Sequence, residues 1–205
     1  MSIETFKGIK PKISKSAFVH ESAVIIGDVT IGDNSSIWPN CVIRGDVQKV
    51  IIGNRTNVQD GSILHVTSDT KYCEGGIPLN IGNNVTIGHN SNLHACEIRD
   101  NVLIGIGSII LDGVIMYEYS MLGAGSLISP KKIIASKKLF KGSPAKESRD
   151  LTYEEIEYIN FSASNQFYMI CEKYNINFHK LRLNMVEGYE RNQSMPKAGF
   201  AAGPC

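Results

Sequence analysis

An aliphatic residue recurs at every sixth position along most of this chain, and a small or aliphatic residue follows it four places later. The pairs run Val19/Ala23, Ile25/Val29, Ile31/Ser35 and Ile37/Cys41, then Ile52/Thr56 and Val58/Ser62, with Leu64 closing the block. They resume as Ile81/Val85 and Ile87/Ser91 with Leu93. After one five-residue step they continue as Ile98/Val102, Ile104/Ser108, Ile110/Val114, Met116/Ser120 and Leu122/Ser126. A period of six is neither the 3.6 of a helix nor the 2 of a plain strand. It is the signature of a hexapeptide solenoid. The expected fold is therefore all-β: a left-handed parallel β-helix, with three hexads per triangular coil. About 18 residues then return the chain above itself, roughly 4.8 Å further along the axis.

That regularity makes side-chain positions calculable. His65 follows Leu64, and His94 follows Leu93, so both take the position after the aliphatic residue. They are 29 residues apart, one coil of 18 plus 11. The surplus fits inside the stretch Val66 to Pro78, which breaks the repeat and reads as a loop. With that loop bulged outward, the two imidazoles stack on one face. Arg44, after Ile43, joins the same column once three extra residues near Val47–Val50 are bulged out. Asp60 and His89, also 29 apart, form a second stack, with Gln59 beside Asp60. The two stacks point in different directions, so one chain does not bring all three histidines to one ion. A neighbouring chain packed on the face can supply the third ligand. An inter-subunit site follows, and three-fold closure is the natural symmetry for a triangular prism. Two imidazoles one coil apart can both reach a metal at about 2.0–2.1 Å.

The chain of 205 residues reads as one principal domain with an appendage. Residues 1–145 are expected to form the solenoid with an N-terminal cap (1–18), coils to about Ser129 and an exit through Pro130–Ala145. Residues 146–180 carry a helix that packs on it. Thr152 and Glu155 form a capping box, and Ile156, Ile159, Ala163, Phe167, Ile170 and Tyr174 follow at helical spacing. Residues 181–205 read as a flexible tail. The net charge of +1 gives no argument for nucleic acid or a membrane surface as partner. No secretory or transit segment is evident at the N-terminus. The five cysteines are odd in number and lack C-x-x-C spacing, which points to a reducing compartment, the cytoplasm. Cys41 falls at a core position. Cys96 lies near His94, but three nitrogens already suffice. His20 and His179 have no comparable partners.

The motifs Ile43-Arg44-Gly45-Asp46-Val47, Thr56-Asn57-Val58-Gln59-Asp60-Gly61-Ser62 and Leu64-His65-Val66-Thr67 resemble the γ-class carbonic anhydrase family. So do Val85-Thr86-Ile87-Gly88-His89-Asn90, Leu93-His94-Ala95-Cys96, Leu122-Gly123-Ala124-Gly125-Ser126-Leu127 and Gly142-Ser143-Pro144-Ala145-Lys146. The resemblance covers roughly residues 12–175 and is strongest to a compact bacterial branch. It implies a homotrimer of left-handed β-helices that interconverts carbon dioxide and bicarbonate. His65 and His94 would bind the metal from one chain and His89 from the next. Gln59 would hydrogen-bond a metal-bound hydroxide and help place carbon dioxide. Arg44 and Asp60 would pair across the interface, with Asp46 fixing Arg44. Zinc is the default for three histidines and an open position, and iron or cobalt also suits these ligands. A 2+ ion lowers the pKa of bound water from 15.7 to about 7, which supplies hydroxide at neutral pH.

The chain departs from that pattern in places. Val47 stands where some members carry a glutamate. The stretch Val66–Pro78 offers only Asp69 and Glu74 as acids, and Gln166 replaces an expected tyrosine unless Tyr168 takes its place by a shift. These departures leave room for other functions of a hexapeptide-repeat chain. One is acyl transfer or thioester hydrolysis with acyl-CoA. Another is a non-catalytic assembly role that keeps the metal site.

Overall fold

The computed structural model describes residues 2–160. It is a left-handed β-helix of about 8 turns. Three columns of short parallel strands make its faces. The first contains Val42–Ile52 in part, then Ile63–His65, Asn92–His94, Ile109–Ile110 and Leu127–Ile128. The second continues from the far half of Val42–Ile52 through Leu79–Ile81, Glu97–Ile98, Ile115–Met116 and Ile133–Ile134. The third runs from Phe18–Val19 through Ser36–Ile37, Asn57–Val58, Thr86–Ile87, Leu103–Ile104 and Met121–Leu122 to Lys138–Gly142. Among the described residues, only Val24–Ile31 and Val42–Ile52 bend around a corner unbroken, and they join the first two faces into one sheet.

The hexad dictates this shape because each face turns one aliphatic side chain inward per coil. Ile25, Ile43, Leu64, Leu93, Ile110 and Ile128 fill the interior behind the first face, each at most 1% exposed. The small residue four places later sits where the coil turns a corner and has no room for bulk. Buried hydroxyls there must find acceptors. Ser35 donates to the Gly53 carbonyl at 2.7 Å, Thr56 to that of Gly82 at 2.7 Å and Ser62 to that of Gly88 at 3.1 Å.

Two interruptions shift the register. Gly27 pairs with Gly45, but Val29 pairs with Val50, so three residues bulge between Gly45 and Val50 and carry Asp46 with them. The stretch between Val66 and Pro78 leaves the prism as an excursion closed by the Thr67–Ile77 antiparallel bridge, with Thr70–Cys73 further out. Both bulge where the repeat arithmetic places them.

One expectation needs correction and two gain detail. The N-terminal cap, described from Ser2 onward, is itself part of the sheet. Ser2–Glu4 pairs in parallel with Val24–Ile26, and Lys12–Ile13 with Thr30–Ile31, so the lead-in is an incomplete first coil. The solenoid does not end at Ser129. Ile134 and Phe140 continue the inward aliphatic or aromatic line, and Lys138–Gly142 adds a further strand. Finally, Ala145–Asp150, between the solenoid exit and the capping box at Thr152, is a strand. It folds back antiparallel on Lys138–Gly142 and covers the open edge with charged residues, which blunts it against pairing with another chain.

The helix begins at residue 153. The capping box forms as read: the Thr152 amide donates to Glu155 Oε2 at 2.9 Å, and the Glu155 amide donates to Thr152 Oγ1 at 3.2 Å. Ile156 and Ile159 pack with Leu151 on the outward side chains Leu103, Met121 and Leu139 of the third face. The rest of the apolar stripe, Ala163, Phe167, Ile170 and Tyr174, lies outside the described residues. So do Gln166, Tyr168, His179 and the tail 181–205.

Candidate metal centre

The first face places His65 and His94 as direct register partners. Their side chains point outward because Leu64 and Leu93, immediately before them, point inward. His65 Nδ1 lies 3.1 Å from His94 Nε2. The ring centroids are 5.1 Å apart and the planes inclined at 54°, so the rings converge at these nitrogens and do not stack flat.

Each outer nitrogen is held by a carboxylate. His65 Nε2 donates to Asp46 Oδ1 at 2.8 Å, and His94 Nδ1 donates to Asp112 Oδ1 at 2.6 Å. Burial works to raise the pKa of Asp46, but hydrogen bonds from His65, its own backbone and Arg44, with the Arg44 charge, outweigh it and hold the group below its usual value. Asp112 follows the same logic. Burial raises it, and hydrogen bonds from Thr67 and His94 bring it below the usual range. Both are therefore ionised acceptors at neutral pH, and an N–H of each ring is assigned to the nitrogen that faces them. What remains is His65 Nδ1 facing His94 Nε2 at hydrogen-bond distance. Two ring nitrogens this close need a positive centre between them, a proton or a cation.

A metal ion fits that requirement. Two nitrogens about 2.0–2.1 Å from a tetrahedral ion are roughly 3.3 Å apart, against 3.1 Å here. A divalent ion is thus suited by both distance and donor chemistry. The set is incomplete within one chain. Among the described residues, no group of three His, Cys, Asp or Glu side chains can hold a metal. Cys96 is no candidate: it is buried in the solenoid interior, and burial pushes its thiol pKa up. Cys41 is likewise a core residue, its thiol pushed up to about 11 chiefly by burial.

His89 stands in the turn after Thr86–Ile87, at the corner between the third and first faces. Its Nδ1 lies 3.0 Å from Asp60 Oδ2 and both side chains are 45% exposed. Asp60 thus orients the ring through Nδ1 and leaves Nε2 without part in that bond. Gln59 precedes Asp60, with its backbone amide bonded to the Ile87 carbonyl at 3.0 Å. Arg44 pairs with Asp46, which bridges the guanidinium and His65. Asp46 therefore does more than fix Arg44. Sequence reasoning gave no role to Asp112 or Thr67; Asp112 lies one residue past the position directly over His94, because the coil here is 17 residues long.

Comparison with known proteins gives a consistent picture. The family described as Bacterial transferase hexapeptide (six repeats) matches residues 10–45. Gamma carbonic anhydrase 2, mitochondrial, of Arabidopsis thaliana is 44% identical over 155 residues, which is 76% of this chain but 55% of that protein. The chain thus spans about half the length of that plant relative. A carbonic anhydrase of Geobacillus kaustophilus is 47% identical over 154 residues, covering 75% of this chain and 81% of that one. A hexapeptide transferase family protein of Anaplasma phagocytophilum superposes with a TM-score of 0.75 at 42% identity, over 82% of this chain and 96% of that chain.

Proposed function

Because this chain belongs to the γ-class carbonic anhydrase family, we propose that it catalyses the reversible hydration of carbon dioxide to bicarbonate at metal sites shared between subunits of a homotrimer. The observation that carries the reading is the convergence of His65 Nδ1 and His94 Nε2, each ring fixed by its own carboxylate. His89, oriented by Asp60 and unable to reach that pair within its own chain, is the third ligand, given to the neighbour's site. Zinc is the default occupant, with iron or cobalt also compatible. When bound, the ion supplies the positive charge that makes water acidic enough to provide a nucleophile near neutral pH.

The chain's own residues do the rest. Gln59, next to Asp60, orients the attacking oxygen and helps seat carbon dioxide. Asp46 holds both Arg44 and His65, and so couples the guanidinium to the metal ligand. Arg44 in turn is available to Asp60 of a neighbouring copy. Such a pair orients the interface more than it stabilises it, because desolvation offsets much of the attraction. The hydration step also releases a proton. Val47 takes the place of a carboxylate near the site, and Asp69 is engaged with the Gly75 amide at 2.9 Å in its own excursion. Glu74, exposed in the same excursion, is the remaining acid there, and proton export falls to it or to buffer.

The outward side of the first face supports self-association. Val42, Ile63, Asn92, Ile109 and Leu127 lie in one register column beside the histidines. Ile63 is 46% exposed and Ile109 37%. An apolar column of this kind suits burial against a second copy. The free thiols Cys41, Cys73 and Cys96 fit a reducing compartment such as the cytoplasm.

Acyl transfer from acyl-CoA is the competing reading, favoured by the transferase family match and the solved transferase-family relative. Stopped-flow carbon dioxide hydration on metal-replete protein separates the two. We expect metal-dependent hydration, with stripped protein and His89→Ala no faster than buffer, and no transfer or hydrolysis of acetyl-CoA. Full activity in His89→Ala would refute the ligand set.

A further inference from the structure

Asp112 sits at the corner one coil beyond His94 and has both carboxylate oxygens engaged. Oδ1 accepts from His94 Nδ1 at 2.6 Å, and Oδ2 accepts from Thr67 Oγ1 at 2.5 Å. Thr67 lies at the neck of the 66–78 excursion. Its backbone is tied across that neck to Ile77, amide to carbonyl at 3.1 Å in one direction and 3.0 Å in the other. The corner itself is fastened on both sides. The Ala95 amide donates to the His65 carbonyl at 2.9 Å, and the Gly113 amide donates to the Ala95 carbonyl at 2.8 Å. The carboxylate plane of Asp112 is thus set by the excursion's neck and the His94 ring by the carboxylate.

We propose that Asp112, itself oriented by Thr67, is a positioning residue that locks His94 in the Nδ1–H tautomer and aims its Nε2 at His65. This rests on the reading of His94 as a metal ligand. A neutral imidazole free to choose its tautomer spends part of its time with Nε2 protonated, and that form cannot bind a cation through Nε2. An ionised acceptor fixed at Nδ1 removes that form, holds the ring plane and raises the basicity of Nε2. The excursion thereby contributes to metal affinity without supplying a ligand. A purely structural account would instead make Asp112 a clasp between the neck and the corner, with no effect on the ring's tautomer.

The experiment measures zinc affinity by chelator competition on the full-length protein. It also measures the tautomer of His94 by long-range ¹⁵N–¹H NMR of the metal-free form. Wild type, Asp112→Ala, Asp112→Asn, Thr67→Val and His94→Ala are compared. Loss of an outer hydrogen-bond partner typically weakens metal binding by about 10–100-fold. That range is expected for Asp112→Ala. Asp112→Asn should lose less, because its carbonyl oxygen can still accept from His94. Thr67→Val should weaken binding in the same direction by a smaller factor. The His94 signature should move from Nδ1–H toward Nε2–H in Asp112→Ala. Unchanged zinc affinity or an unchanged tautomer in that variant would overturn the proposal. If Asp112→Ala fails to fold, Asp112→Asn and Thr67→Val decide it by the same two readouts. Failure of the metal reading itself has a different signature: wild type and His94→Ala would then bind zinc equally weakly.

Discussion

Gly45→Ala tests how tightly the solenoid's backbone packing is coupled to the metal centre. Gly45 separates Arg44 from Asp46 at the start of the three-residue bulge. A Cβ at this position would lie 2.3 Å from the Asp28 carbonyl oxygen and 2.8 Å from its carbon, where ordinary contact begins at 3.4 Å. The obstacle is backbone, so no side chain can swing away. Its φ is not in the left-handed region, so the cost is one of space and not of conformation. The strand Val42–Ile52 must part from Val24–Ile31 by about 1 Å, enough to break a hydrogen bond of ordinary length. Overpacking costs about 1–3 kcal/mol, and a lost ladder hydrogen bond adds about 1 kcal/mol. The variant should therefore lose about 2–4 kcal/mol, read as a lower guanidinium midpoint at unchanged slope. The same displacement carries Asp46 away from its 2.8 Å bond to His65, so zinc affinity should fall by about 10-fold. Val47→Ala, two residues on and exposed, is the control and should change neither. Wild-type stability and zinc affinity in Gly45→Ala would refute this coupling.

Two further outcomes follow from other parts of the structure. Ile63→Asp places a charge in the exposed apolar column of the first face, and it should convert the assembly to monomers in sedimentation velocity while leaving the strand spectrum intact. An unchanged trimer would remove that face from the interface. At the C-terminal end, Arg149 holds the Glu155 carboxyl down to about 2, from a usual 4.5. A depressed folded-state pKa means stability present above the unfolded value and lost as pH falls, so helix docking should weaken between about pH 4.5 and about pH 2. Thermal melts should show a smaller loss over that window in Glu155→Gln than in the native chain.

Much of the architecture was legible because a solenoid turns sequence spacing into spatial position. The 29-residue interval placed His94 over His65 and His89 over Asp60, and both contacts are present. Inward aliphatic residues and small corner residues carried the register through two interruptions. Legibility failed where side chains stop reporting on a buried face. Ala145–Asp150 covers an edge and buries little, so a strand of A-K-E-S-R-D has no alternation to read. The paired lysines around Ile133–Ile134 and Lys138 masked a six-residue line that in fact continues through Ile134 and Phe140. Asp112 escaped for a different reason. It is in the corner position of its coil, offset by one residue from the histidine column, and reaches His94 diagonally. Column arithmetic finds partners directly opposite and overlooks such diagonals. The link between Asp46 and His65 was missed likewise, because a bulge residue has no repeat position.

The central claim is that two chains share one metal ion, and mixed assemblies test it most directly. His89→Ala and His94→Ala chains each lack one part of every site when assembled alone. A trimer containing both variants has one interface where an intact His65–His94 pair meets an intact His89. Elemental analysis of separately purified and co-assembled trimers should find no stoichiometric metal in either pure variant and one ion per mixed trimer. Full metal occupancy in pure His89→Ala trimers, or none in the mixed ones, would contradict a shared site.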